Sequence, residues 1–339
     1  MTMKRVGSIL HGALGDYYEQ LLCLRLFTEK NPHVTLVVFF AVENRIRAYQ
    51  HFDLSFIDEI YLADKIADIH VDEFYQFQIH DQELNENILN HLPPTVKDLF
   101  DYKNVNLPWL ILKEHNFSEK PLYLELSSRG KEYFKFAKEI NEIDDTVFET
   151  RFTVGFLWRY RQKGSINSKG QFPVRIIKHH LNKLFKELTR NYDSHILICG
   201  MRKGELEASP KYEEIVKEAG LALGERRNTF TNYRFDIDPS RSTYLKGVGY
   251  AAEMYIMSQC DLLITMPSGF SEPLWMMQKQ PVIIIFPPFE YLLRLWKWNM
   301  PFFDHNRWSG RWYNTFTLHS AGNVLNYLKK RDYLSRATK

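Results

Sequence analysis

The chain is short of cysteine, of long apolar runs and of net charge, and each shortage excludes a class of protein. Three cysteines in 339 residues, Cys23, Cys199 and Cys260, stand far apart inside apolar segments. They form no CxxC pair and no Cys/His group at metal spacing, which excludes a disulfide scaffold and a zinc module; buried free thiols in a reducing compartment are expected. No apolar stretch approaches the ~20 residues that span a bilayer as a helix. A strand-like segment follows Met1 to Arg5 directly and leaves no room for a signal peptide, so a cytoplasmic protein is expected. Lys and Arg number 44 against 41 Asp and Glu, a formal charge of +3, whereas a nucleic-acid partner calls for a strongly basic face.

What is present is the composition of a globular protein, 45% hydrophobic and 25% charged, at a length that suggests two domains. Val6 to Leu10 reads as a strand, a glycine turn follows, and Tyr17, Leu21, Leu24 and Phe27 are spaced for one face of a helix. Val34 to Phe40 and Asp58 to Leu62 read as further strands, Leu122 to Leu126 as another, and Gly130 to Ile140 as a helix. Residues 64–118, broken by prolines, predict short helices and loops. After the acidic stretch Glu142 to Asp145 the pattern restarts. Strands are predicted at 153–158, 195–200, 261–265 and 281–286, with helices at 174–189, 250–258 and 272–278. Strands alternating with helices imply parallel pairing, because parallel neighbours need a crossover. The expected fold is α/β, with two Rossmann-like parallel-sheet domains at 1–148 and 149–325 facing a central cleft, and a C-terminal helix or tail at 326–339.

Three segments have the residue types for binding an anionic ligand. The turn Gly12-Ala13-Leu14-Gly15-Asp16 lets a ligand approach backbone at a strand-to-helix junction. It lacks the third glycine of the dinucleotide fingerprint. Arg159, Arg161 and Lys163 follow a strand directly, and guanidinium groups bind phosphate oxygens in pairs. Ser268, Gly269, Phe270, Ser271 and Glu272 join a strand to a helix, where backbone N–H groups and two hydroxyls suit a diphosphate. Asp16 also fits an ordinary first-turn acid, the basic segment a solvated loop and the serine segment a capped turn. Asp236-Ile237-Asp238 has the outline of a metal-binding pair, but Pro239 beside it favours a turn.

Gly12-Ala13-Leu14-Gly15-Asp16 resembles the G-x-L-G-D of the bacterial heptosyltransferase family. The segment Cys260 to Gly269 resembles that family's strand and loop ending in Ser/Thr-Gly, and Gln280-Pro281-Val282-Ile283-Ile284 its next strand. Pro267 stands where that family has an aspartate. Trp158-Arg159-Tyr160-Arg161 and Ser268-Gly269-Phe270-Ser271 are similar to motifs of fucosyltransferases that use GDP-fucose. Both resemblances imply a GT-B scaffold and a glycosyltransferase, inverting and metal-independent, with no cofactor beyond its nucleotide-sugar substrate. They imply that Asp16 is the general base, that the Ser268 loop and the arginines hold the donor diphosphate, and that the acceptor is a glycan or lipid-linked precursor. Basic and aromatic residues at 294–298 and 328–331 fit an ordinary solvated helix face better than a membrane surface, with peripheral membrane contact as the alternative. The alternative is a non-catalytic nucleotide- or sugar-binding protein on a degenerate GT-B scaffold, for which Pro267 is the supporting feature.

Overall fold

In a computed structural model the described residues are 4–11, 14–75, 115, 120–157, 171–199, 235–245, 248–265, 274, 277, 280, 282–284, 321–330, 332 and 334. Strands β1 (Lys4–Leu10) and β2 (Val34–Phe40) each end in five consecutive buried residues. Such a run, rather than an alternation, marks a parallel sheet covered on both faces. The two strands pair in parallel over their whole length, from Lys4 opposite Val34 to Leu10 opposite Phe40. Helix α1 (Leu14–Lys30) makes the crossover, burying Tyr17, Tyr18, Leu21, Leu22 and Leu24. After α2 (Glu43–Tyr49), β3 (Glu59–Leu62) joins the far side of β2, and β4 (Glu73–Tyr75) joins β1. The sheet order is β3-β2-β1-β4.

At the amino edge of this sheet Arg5 ties three strands together. Its guanidinium reaches both oxygens of Glu59, at 2.5 and 3.1 Å, and its backbone N–H reaches Asp72 Oδ2 at 2.7 Å. The Arg5 hydrogen bond holds the Glu59 carboxyl below its ordinary range.

Leu122 to Leu126, expected as a strand, is not one. Its leucines are buried, but among the described residues its strand pairing is an isolated antiparallel bridge between Phe52 and Leu126. The Leu124 N–H donates to the Tyr18 hydroxyl at 2.9 Å, so a side chain takes the place of a ladder partner. Helix α3 (Ser128–Ile140) follows. Ser127 caps it by accepting the Gly130 N–H at 3.0 Å, and the same hydroxyl donates to the His51 carbonyl at 3.1 Å. A Cβ on Gly130 would lie 1.9 Å from that carbonyl oxygen, so only glycine fits.

The second sheet begins after the short helix α4 (Thr146–Thr150). Its strands are β5 (Phe152–Leu157), β6 (Ser194–Cys199), β7 (Ser242–Leu245), β8 (Leu262–Thr265) and β9 (Val282–Ile284). All pairings are parallel, in the order β7-β6-β5-β8-β9. Helix α5 (Gln171–Asn191) links β5 to β6, α6 (Tyr250–Met257) precedes β8, and α7 (Ala321–Lys330) packs on α5. Leu181, Leu184, Phe185 and Leu188 of α5 meet Val324, Leu325 and Leu328 of α7 in one core. Phe156, Phe185 and Phe235 contact one another edge to face at 5.1–5.3 Å within it. Asp261 fixes the β5–β8 register at the amino edge, its carboxylate accepting from the backbone N–H (2.8 Å) and hydroxyl (3.1 Å) of Thr153.

By internal contacts the chain divides into two compact units, one of Met1–Tyr133 with Gly249–Ala251 and one made of most of the chain from Phe134 onward. Among the described residues, no helix is long and apolar enough to cross a membrane.

Candidate functional site

In a doubly wound sheet the chain moves outward in one direction from the first strand, then returns to build the other side. Ligands bind beyond the carboxyl ends of the strands where the order reverses. In the second sheet β5 comes first, β6 and β7 extend one way and β8 and β9 the other, so the reversal lies between β5 and β8. The last residues of all five strands stand in one registered row: Leu245, Cys199, Leu157, Thr265 and Ile284. Neighbouring strands lie about 4.8 Å apart, so the segments leaving Leu157 and Thr265 start side by side. The basic segment begins two residues beyond Leu157 and the serine segment three residues beyond Thr265. Arg159, Arg161, Lys163, Ser268, Gly269, Phe270, Ser271 and Glu272 themselves lie outside the described residues. The structure therefore brings together the two strand ends that lead to them, while the geometry of their side chains is not part of it.

One strand along, the same edge has a different character. Glu253, on α6, accepts the Val248 N–H at 3.0 Å and the Cys199 thiol at 3.6 Å. Gly249, at φ 99°, turns the chain into α6 between these contacts. Burial first, then the neighbouring carboxylate, pushes the Cys199 thiol well above its usual range. A carboxylate at the end of β6 disfavours phosphate at that strand end. The sequence reading missed Glu253, since a lone acid in an apolar helix carries no signal of what it touches.

The first sheet reverses between β1 and β4, and the glycine turn leaves β1 at that point. Gly15 is buried in the first turn of α1 and Asp16 is the third residue of that helix; the Asp16 side chain and Gly12 lie outside the described residues. Two contacts around this helix start were not foreseen. Gln20, fully buried, brackets the last described residue before the turn: its Oε1 accepts the His11 N–H at 3.2 Å and its Nε2 donates to the His11 carbonyl at 2.9 Å. The Tyr49 hydroxyl, from α2, donates to the Leu14 carbonyl. Tyr17 stacks on Phe40 and Tyr49 with ring centroids 5.6 and 6.1 Å apart.

The Asp236-Ile237-Asp238 pair leads into the start of β7, at the opposite edge of its sheet from the strand ends. Asp236 pairs with Lys186, and Asp238 accepts the Ser240 N–H (2.9 Å) and hydroxyl (2.8 Å) to close the turn Pro239–Arg241. It is a turn, as Pro239 suggests. Among the described residues no three His, Cys, Asp or Glu side chains are grouped to hold a metal ion.

No protein-family profile matches the chain, and no curated protein does. Solved structures do match. The glycosyl transferase family 9 structure from Veillonella parvula is 15% identical, with 98% of each chain covered and a TM-score of 0.50. An E. coli ADP-heptose lipopolysaccharide heptosyltransferase II is 12% identical over 83% of this chain and 84% of its own, at 0.47. A UDP-N-acetylglucosamine 2-epimerase from Listeria monocytogenes is 10% identical over 98% and 90%, at 0.46. The Veillonella parvula structure spans both sheets, and its likeness together with the two parallel strand orders gives the conclusion that this chain has a GT-B-like fold of two Rossmann-type halves.

Proposed function

We propose that the protein is a glycosyltransferase, moving a sugar from a nucleoside-diphosphate donor to a hydroxyl of a glycan or lipid-linked acceptor. The observation that carries this reading is the register of Leu157 with Thr265 at the reversal point of the second sheet. It starts the arginine segment and the serine segment from adjacent positions on the edge where such sheets hold nucleotides. The fold shared with a family 9 glycosyl transferase is consistent with it.

In this reading Arg159, Arg161 and Lys163 face the diphosphate, and the Ser268–Glu272 segment offers it backbone and hydroxyl donors. Charge develops on the diphosphate as it leaves, and fixed donors aimed at that charge lower the barrier without a metal ion. Asp16, from the first unit, takes the proton of the acceptor hydroxyl. The hydroxyl oxygen forms its bond to the anomeric carbon while the bond from that carbon to the phosphate oxygen breaks. The electron pair leaves with the nucleoside diphosphate, and the configuration inverts. Gln20 and Tyr49 hold the backbone of His11 and of Leu14, the latter two residues before Asp16. We place the reaction in the cytoplasm, and a lipid-linked acceptor would bring the protein to the membrane face.

The test is release of nucleoside diphosphate from ADP-, GDP- and UDP-sugars by wild type and Asp16→Asn. A positioned base contributes about 10²–10⁴-fold, so the variant should lose at least 100-fold in kcat with donor affinity nearly unchanged. Equal turnover by the two proteins removes Asp16 from the mechanism, and tight nucleotide binding without any turnover favours the binding-protein alternative.

A further inference from the structure

The positive charge of the chain is not spread evenly. Helices α5 and α7 hold seven Lys and Arg against a single acid, Glu187. The whole chain has 44 against 41, so what lies outside these two helices is net acidic. On α5, His179, Lys183, Lys186 and Arg190 recur at helical spacing, which sets them in one line along the helix. The line lies opposite the buried Leu181, Leu184, Phe185 and Leu188, and His179, Lys183 and Arg190 within it are exposed.

Helix α7 extends the same surface. It packs on α5, and Lys329 in its last turn lies over the ring of Tyr192, 5.7 Å from the centroid, just beyond the end of α5. Lys329 and Lys330 are both exposed. Two acids stand near the line. Asp236 pairs with Lys186, and Glu187 is within electrostatic reach of Lys329. Among the described residues Lys183, Arg190 and Lys330 form no salt bridge. The helix dipole accounts for basic residues in a last turn, such as Arg190, Lys329 and Lys330. It does not account for Lys183 and Lys186 farther up the helix.

By itself the basic end of α7 is an ordinary solvated helix end. Beside the α5 line it completes a ridge that runs about 16 Å from His179 to Arg190, at about 1.5 Å per residue. A straight ridge brings its cations to a flat surface together, within the ~10 Å over which charge is felt at about 0.1 M salt. Several Lys and Arg on the polar face of an amphipathic helix are the pattern an anionic leaflet attracts. A nucleic-acid groove interleaves its cations with exposed stacking rings, whereas the aromatic residue in this stretch of α5, Phe185, is buried in the core.

We infer that the α5–α7 ridge docks the protein on an anionic phospholipid surface. The choice of a bilayer also rests on the transferase reading above, whose lipid-linked acceptor lies in one; the charge of the ridge does not depend on that reading.

The experiment is co-sedimentation of the full-length protein with vesicles of phosphatidylglycerol and phosphatidylcholine in equal parts, against vesicles of phosphatidylcholine alone. Binding to the first and not the second is expected at about 0.1 M salt, and it should fade at about 0.5 M, where the screening length falls by more than half. Each Lys or Arg near an anionic leaflet contributes about five-fold in partitioning, so Lys183→Gln, Arg190→Gln and Lys330→Gln together should weaken binding about 100-fold. Lys30→Gln, Lys131→Gln and Lys135→Gln lower the net charge equally at exposed positions elsewhere and should leave binding nearly unchanged. No binding of the wild type to the anionic vesicles, equal binding to both vesicles, equal loss in the two triple variants, or tighter capture by duplex DNA than by vesicles at the same salt overturns the inference. Vesicle binding without Asp16-dependent release of nucleoside diphosphate leaves the surface standing and removes the transferase reading, while such release without vesicle binding removes the surface alone.

Discussion

Replacing Gln20 by Leu is the sharpest test of how the turn before Asp16 is held. The Gln20 amide is fully buried and makes two hydrogen bonds to one residue, 3.2 Å from the His11 N–H and 2.9 Å to the His11 carbonyl. His11 is itself 4% exposed, so water cannot replace the lost partner without the site opening. Each of the two bonds contributes a net ~1 kcal/mol, rising to about 2 kcal/mol where the backbone group it leaves behind stays shut off from water. Leucine is apolar and branched and restores neither bond. The expected loss is therefore about 2–4 kcal/mol, measured as a lower urea midpoint at unchanged slope. Because the opening falls at the start of the Gly12–Asp16 turn, kcat should drop more than donor KM rises. A loss below about 0.5 kcal/mol would show that this pair of bonds does not hold the turn.

The remaining expectations follow from single contacts. Gly130→Ala drives a methyl group to 1.9 Å from the His51 carbonyl oxygen, a backbone atom that cannot rotate away. The loss should be at least ~2 kcal/mol by urea unfolding, and a near-neutral result would mean that α3 is free to shift. Burial, then the charges of Arg151 and Arg241, push the His195 imidazole down to about 4. The unfolded chain binds the extra proton below its ordinary 6.5, so this contribution is complete above that pH and is lost as pH falls toward about 4. It is on the order of 2 kcal/mol. His195→Gln, whose amide can still meet Thr243, should flatten the urea midpoint against pH over that window, and an unchanged slope would contradict the assignment.

Much of the fold was legible because its central strands advertise themselves. Val34 to Phe40 and Ile196 to Cys199 are continuous β-branched and apolar runs, and only burial on both faces favours such runs. The strands β4 and β7 were not foreseen. Three and four residues are too few to show a period, and their burial is partial. Leu122 to Leu126 has the composition and alternation of a strand, but Tyr18 and the Phe52 region supply its partners, and that is a tertiary fact. The site was legible as segments and not as contacts. Glycine turns and serine-rich junctions follow from backbone chemistry, which is local, so the turn after β1 and the exits of β5 and β8 could be named. Gln20 and Glu253 could not. Each is an ordinary polar residue in its own helix, and its role depends on a strand end or aromatic ring brought close by folding. Asp261, in the segment that resembles a heptosyltransferase motif, serves the β5–β8 register at the opposite edge from the strand ends.

The measurement closest to the central claim is a crystal structure with a bound nucleoside diphosphate, chosen from ADP, GDP, UDP and CMP by thermal shift. Ligand at 100 times its Kd stabilises the fold by about 2.7 kcal/mol, which such a screen detects. The phosphates should lie within hydrogen-bond reach of the segments that follow Leu157 and Thr265. A nucleotide seated instead at the end of β6 beside Glu253, or at the amino edge of the sheet, would contradict it.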